Sequence, residues 1–156
     1  MQITKRVEFD YGHRVPSHKS KCKNMHGHRG VIEITMEGPI QPIRGLSDDG
    51  MVLDFSDIKE IANREVVEPL DHAFIVYERD KPVVDFLESG ALPNHKTVVV
   101  DFIPTAENLA HYIFYILDLA YKTRYGEDLR LFRVRFFETP NSWADAYRPV
   151  PKDMLG

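Results

Sequence analysis

Two stretches decide the fold of this 156-residue chain: ITKRVEFDYGH, running from Ile3 to His13, and HGHRGVIEITME, from His26 to Glu37. In the first, Ile3, Val7, Phe9, Tyr11 and His13 fall on one side of a period-two pattern and Thr4, Arg6, Glu8 and Asp10 on the other, with Lys5 as the exception. In the second, Ile32, Ile34 and Met36 oppose Arg29, Glu33, Thr35 and Glu37. Alternation of this kind belongs to half-buried strands. The two strands form a hairpin across the segment between them, which brings His13 beside His26.

Working outward, Gly38-Pro39 opens a loop through Gly45 and Gly50 that leads to Met51–Phe55 and a helix. Asp54 or Ser56 caps that helix, and Ile58, Ile61, Ala62 and Val66 form its apolar stripe. Residues 68–77 read as irregular. Pro82 to Leu87 makes a short helix ended by Gly90, and Val98-Val99-Val100 a short buried strand. Thr105 caps a longer helix in which Leu109, Ile113, Ile116, Leu117 and Ala120 recur at helical spacing. A third long strand covers Leu129–Phe137 and a shorter fourth lies around Trp143–Tyr147. The expected fold class is α+β over one domain, 1–156: a four-stranded antiparallel sheet with two main helices on one face, in the order β-β-α-α-β-β. Its open edges invite assembly between subunits.

Composition narrows the functional classes. The chain holds 20 Lys+Arg, 24 Asp+Glu, seven His and one Cys, for a net charge of −4. A single Cys excludes an internal disulfide, and with it a disulfide-stapled secreted fold and a zinc site needing two or more cysteines from one chain. Mild acidity argues against a nucleic-acid-coating protein. No apolar run approaches the roughly 18 residues of a membrane span, and MQITKRVEFD lacks the apolar stretch of a signal peptide, so a cytoplasmic protein is expected.

The average conceals one segment. From His13 to Arg29 the chain carries Arg14, Lys19, Lys21, Lys23 and Arg29, no acidic residue, four of the seven His and the only Cys. The remainder carries 15 basic and 24 acidic residues, a charge of −9 against +5. Within this loop, His26 and His28 stand at i and i+2 of a strand, so both imidazoles point to one face. With His13 they make three nitrogen ligands and leave a fourth position open, the pattern of catalytic zinc. The plainer reading leaves His26 and His28 hydrogen-bonding in a polar loop. His18 suits a surface or anion contact better than a ligand. Cys22, between Lys21 and Lys23, sits where cations favour a thiolate. The residues leave open whether it reacts or closes the metal site. Asp71 precedes His72 and can orient its imidazole. Glu138 continues the face of Phe132, Val134 and Phe136, so its carboxylate either meets a partner with paired donors or ends the strand in water.

Together these pieces resemble the family of 6-pyruvoyl-tetrahydropterin and 6-carboxytetrahydropterin synthases. The resemblance rests on Phe9-Asp10-x-x-His13-Arg14, Cys22-x-x-x-His26-Gly27-His28, Gly50 to Phe55, Leu70-Asp71-His72, Pro104-Thr105-Ala-Glu107-Asn108-Leu109, and Glu138-Thr139 followed by Ala146-Tyr147, in the family's order. It implies a tunnelling fold assembled into hexameric barrels, with active sites at subunit interfaces. His13, His26 and His28 match its zinc ligands. Cys22 matches the catalytic general base, with Asp71 and His72 as proton-relay partners supplied by a neighbouring subunit. Glu138 matches the anchor of the pterin ring, and Thr105 a position near it. The implied substrate is 7,8-dihydroneopterin triphosphate, with Arg14, Lys19, Lys21, Lys23 and Arg29 as candidates to hold the triphosphate. The short Cys-to-His spacing resembles the 6-carboxytetrahydropterin branch, which releases acetaldehyde and triphosphate and feeds 7-deazaguanine (queuosine) synthesis. The pyruvoyl-forming activity, or a metal- and pterin-binding module without turnover, is the alternative. The chain departs from the pattern at Arg29-Gly30, where an aromatic residue is common, and in a longer stretch from Tyr77 to Ile103.

Overall fold

A computed structural model describes residues 1–149; the end of the expected domain, 150–156, lies outside the described residues. Strands β1 (Gln2–His13) and β2 (His26–Glu37) pair antiparallel over their whole length, from Gln2 opposite Glu37 to His13 opposite His26. Strand β5 (Arg130–Thr139) pairs with β2, and β6 (Ser142–Tyr147) with β5, both antiparallel. The hairpin and the two C-terminal strands therefore form as their alternation predicts.

The sheet has six strands rather than the expected four, in the order β4-β3-β1-β2-β5-β6, and it is mixed rather than antiparallel. The two further strands run parallel to β1: β4 (Thr97–Val100) is the short strand expected at Val98–Val100, here joined to the sheet, and β3 (Ala73–Tyr77) forms within residues 68–77, which the sequence reads as irregular. Ala73, Phe74, Ile75 and Val76 are all buried, so β3 shows no polar alternation by which to recognise it. Its first face meets the main core through Ile75, while Phe74 and Val76 pack against Val83, Val84 and Leu87 of helix α3 (Lys81–Glu88).

Helix α1 (Phe55–Ala62) is capped by Asp54, whose carboxylate accepts from the Ser56 amide. It runs through a π-helical stretch, Asn63–Val67, into the single turn α2 (Glu68–Leu70). Helix α4 (Ala106–Tyr125) starts at Thr105, whose hydroxyl accepts from the Asn108 amide. Helices α1 and α4 pack together on one face of the sheet, over Val7, Phe9, Tyr11, Ile32, Ile34 and Phe136. The buried Tyr121 hydroxyl joins them by donating to the Ile58 carbonyl at 2.9 Å. Helix α3 lies on the opposite face. No helix among the described residues is long and apolar enough to cross a membrane.

Candidate active site

The β1–β2 register assembles the site. His13 stands opposite His26 and Tyr11 opposite His28, so alternation puts all three imidazoles on the helix-covered face at one end of the hairpin. Their ring centroids lie 4.6–5.2 Å apart, and one nitrogen from each ring falls within 4.8 Å of the others. Among the described residues this is the one cluster of three such groups able to share an ion, and Cys22 is outside it.

The backbone orients two of these rings. Nδ1 of His13 lies 2.6 Å from the Pro104 carbonyl, and Nδ1 of His26 lies 2.7 Å from the Asn24 carbonyl. A carbonyl only accepts, so each Nδ1 carries the proton and each Nε2 presents a lone pair. Nε2 of His13 is buried with no partner. Burial pushes the His13 pKa down to about 4, with the His26 and His28 charges adding to the effect and the Pro104 carbonyl opposing it. Burial likewise lowers His28, partly offset by Glu138. Neutral imidazoles with free Nε2 atoms are what a divalent metal requires. The three residues fit a zinc ion because one nitrogen from each ring lies within 4.8 Å of the others and the buried Nε2 of His13 has no hydrogen-bond partner.

Glu138 is aimed as the alternation of β5 predicts. Its Oε1 stands 3.5 Å from Nε2 of His13 and 3.8 Å from Nε2 of His28, and the carboxylate is half-buried. Tyr11, which the sequence did not single out as a site residue, sits behind this group. Its ring packs at 5.1 Å on His13, 5.9 Å on His28 and 5.8 Å on Phe136, and its buried hydroxyl has no partner. Burial, with the Glu138 charge second, raises its pKa and keeps the phenol protonated. Gly30 makes room for this ring. A Cβ there would meet Phe136 Cε2 at 3.0 Å and Tyr11 Cε1 at 3.1 Å. Both rings are locked in the core, so Gly30→Ala is expected to lower stability by about 1–2 kcal/mol in denaturant titration, overpacking outweighing the entropy gained. A stabilised variant would overturn that reading.

The loop between the strands is less free than its charges suggest. Arg14 directs Nε and Nη2 at the two Asp80 oxygens, at 2.5 and 2.6 Å, and Arg29 holds both oxygens of Asp10 at 3.0 Å. Lys19, Lys21 and Lys23 are exposed and form no ion pair among the described residues. Of the five cations, these three remain available to an anion. His18 accepts from the Ser20 amide at the loop surface. Cys22 lies half-buried in a single 3-10 turn, Lys21–Lys23.

Asp71 and His72 form a dyad. Asp71 Oδ2 accepts from His72 Nδ1 at 2.8 Å, and its Oδ1 accepts from the Asp10 amide at 2.9 Å. His72 takes a left-handed backbone (φ 58°), held by its amide donating to the Asp10 carbonyl at 2.6 Å. Asp10 itself points to the face opposite His13, where it meets Arg29. His72 lines an open cleft of about 640 Å³ whose walls include Asp10, Arg29 and Phe74 and also His26 and His28. It makes no hydrogen bond to Cys22 or to the three histidines among the described residues. Thr105 is the cap of α4, immediately after the carbonyl that orients His13.

The model of the family described as 6-pyruvoyl tetrahydropterin synthase matches residues 2–149. A protein of Haemophilus influenzae named 6-carboxy-5,6,7,8-tetrahydropterin synthase is 33% identical over 147 residues, covering 92% of this chain and 96% of the relative. A Rickettsia bellii protein of the same name is 34% identical over 145 residues, covering 93% and 99%. Among solved structures, an uncharacterized protein of Wolinella succinogenes superposes with a TM-score of 0.75 at 26% identity, covering 96% of this chain and 98% of its own. The Caenorhabditis elegans 6-pyruvoyl tetrahydropterin synthase shares the fold, with a TM-score of 0.64 at 23% identity over 96% of both chains. Matched along nearly its whole length, the chain belongs to the 6-pyruvoyl tetrahydropterin synthase family.

Proposed function

We propose that this chain is a zinc-dependent 6-carboxy-5,6,7,8-tetrahydropterin synthase acting on 7,8-dihydroneopterin triphosphate in 7-deazaguanine synthesis. The observation that carries the reading is the set of three converging imidazoles, two oriented by backbone carbonyls, with the Glu138 carboxylate beside them. The relatives' names supply the branch.

His13, His26 and His28 would hold the metal through Nε2. A zinc ion held there would supply Lewis acidity to a bound substrate. Cys22 takes a proton as thiolate. The Asp71 carboxylate fixes the His72 proton on Nδ1, which leaves Nε2 to accept one proton and return it. Glu138 binds the amino-pyrimidine edge of the pterin through two parallel N–H···O contacts. Thr105 shapes the same end of the site. Lys19, Lys21 and Lys23 neutralise the triphosphate.

Because His72 makes no hydrogen bond to Cys22 or to the three histidines among the described residues, its relay role is assigned to a second copy of the chain. Both sheet edges are open to one: Val99 on β4 and Trp143 and Tyr147 on β6 are about half exposed. A hexamer with sites between subunits is the assembly inferred.

Incubating the zinc-loaded protein with 7,8-dihydroneopterin triphosphate and identifying products by mass spectrometry tests the function. The expected products are 6-carboxy-5,6,7,8-tetrahydropterin, acetaldehyde and triphosphate. A 6-pyruvoyl product, or no turnover, would overturn the assignment.

A further inference from the structure

Within the segment from Tyr77 to Ile103, helix α3 covers the sheet face opposite the histidines. One residue of it reaches the active-site loop. Asp80, at the N-terminus of α3, is 5% exposed and is the one carboxylate among the buried polar residues described. It does not use that carboxylate to cap its own helix. Both oxygens instead receive the guanidinium of Arg14 in a parallel two-bond fork. A carboxylate this buried is tolerable only because the fork matches it.

Arg14 directly follows His13, and its remaining terminal nitrogen donates to the Lys23 carbonyl at 3.4 Å. Lys23 directly follows Cys22. One residue further along, the Val15 amide donates to the Cys22 carbonyl at 2.8 Å. The stem of the loop is thus closed around Cys22 by two bonds from residues 14 and 15, and the heavier of these side chains is fixed to α3. The helix in turn is fixed to the sheet through Val83, Val84 and Leu87 on Phe74 and Val76.

We propose that Arg14 and Asp80 are positioning residues for Cys22, and that the Tyr77–Ile103 segment braces the active-site loop through this pair. The inference rests on the reading of Cys22 as the base. It removes Arg14 from the triphosphate contacts and gives α3 a part in catalysis without any contact to substrate.

Cys22 is the only cysteine, so its alkylation by iodoacetamide at fixed pH reports on that loop alone. The test compares zinc-loaded Arg14→Gln, Asp80→Asn and the double variant, with Arg14→Lys as the conservative replacement, by alkylation rate, metal content and steady-state kinetics. Both single variants are expected to keep the metal, to alkylate about tenfold faster as the loop opens locally, and to lose about a hundredfold in kcat with little change in KM. The double variant is expected to cost no more than either single one, because both remove one interaction. Arg14→Lys restores the charge but not the fork and recovers part of the rate. A raised KM for Arg14→Gln with Asp80→Asn unaffected would mean that Arg14 holds triphosphate, and overturns the proposal. So would unchanged alkylation and kcat with only a lowered Tm. Should Cys22→Ala turn over like the parent, the base assignment fails, while the alkylation rates still decide the brace.

Discussion

Replacing His26 by Ala is expected to lower zinc affinity by more than a hundredfold and to abolish turnover. Loss of an outer-shell partner of a metal ligand already costs roughly 10–100-fold, and His26 supplies a ligand directly. His26 is the informative choice among the three. His13 is fully buried beneath Tyr11 and beside Pro104, so its removal would open a cavity and mix stability with metal loss. His26 is half-buried at the end of β2, and its ring is held by the neighbouring Asn24 carbonyl rather than by the core. The metal-free parent and metal-free His26→Ala should therefore melt together. Zinc at about a thousand times its Kd should add about 4 kcal/mol to the parent and nothing comparable to the variant. His18→Ala, in the same loop but hydrogen-bonded to Ser20 at the surface, should retain zinc. Equilibrium dialysis with metal analysis decides the point. A His26→Ala protein that keeps one zinc per chain would remove the three-histidine site.

The histidine set was legible because it depends on strand parity, which alternation reveals, and on the two strands pairing as a hairpin, whose register the structure supplies. The same alternation marks Glu138. What failed to show follows from the same physics. Strand β3 is covered on one face by the main core and on the other by α3, so Ala73–Val76 carries no polar period, and a four-stranded sheet was the natural reading. The orienting groups of His13 and His26 are the Pro104 and Asn24 carbonyls, which every residue possesses and no side chain advertises. Residue type also misled where charge was counted without partners. The loop's charge of +5 includes Arg14 and Arg29, and their counter-ions, Asp80 and Asp10, lie 66 and 19 positions away in the chain. Tyr11 lies on the apolar face that alternation gives it, but a phenol on such a face also brings a hydroxyl into the core. Only the fold reveals that this ring packs on His13 and His28 and leaves its hydroxyl unpartnered.

Cys22→Ala and His72→Ala should each lose nearly all turnover while keeping the metal, since neither residue belongs to the three-histidine cluster. A base in the proton-transfer step is worth about 10²–10⁴ in rate, which sets the size of each loss. The larger consequence appears when the two inactive proteins are dissociated, mixed in equal amounts and reassembled. If a site takes its thiol from one subunit and its Asp71–His72 dyad from another, random assembly of a symmetric oligomer makes about a quarter of the sites wild type in both groups. Activity should then return to about that fraction of the parent. If both groups of a site came from one subunit, every site in the mixture would lack one of them, and no activity would return. The anchoring of the dyad favours recovery: Asp71 accepts from the Asp10 amide and His72 donates to the Asp10 carbonyl, while the Asp10 side chain faces away from His13. Within one subunit His72 is bonded to Asp71 and makes no hydrogen bond to Cys22 or to the three histidines among the described residues, so a one-subunit site would need the dyad to leave its anchor on Asp10.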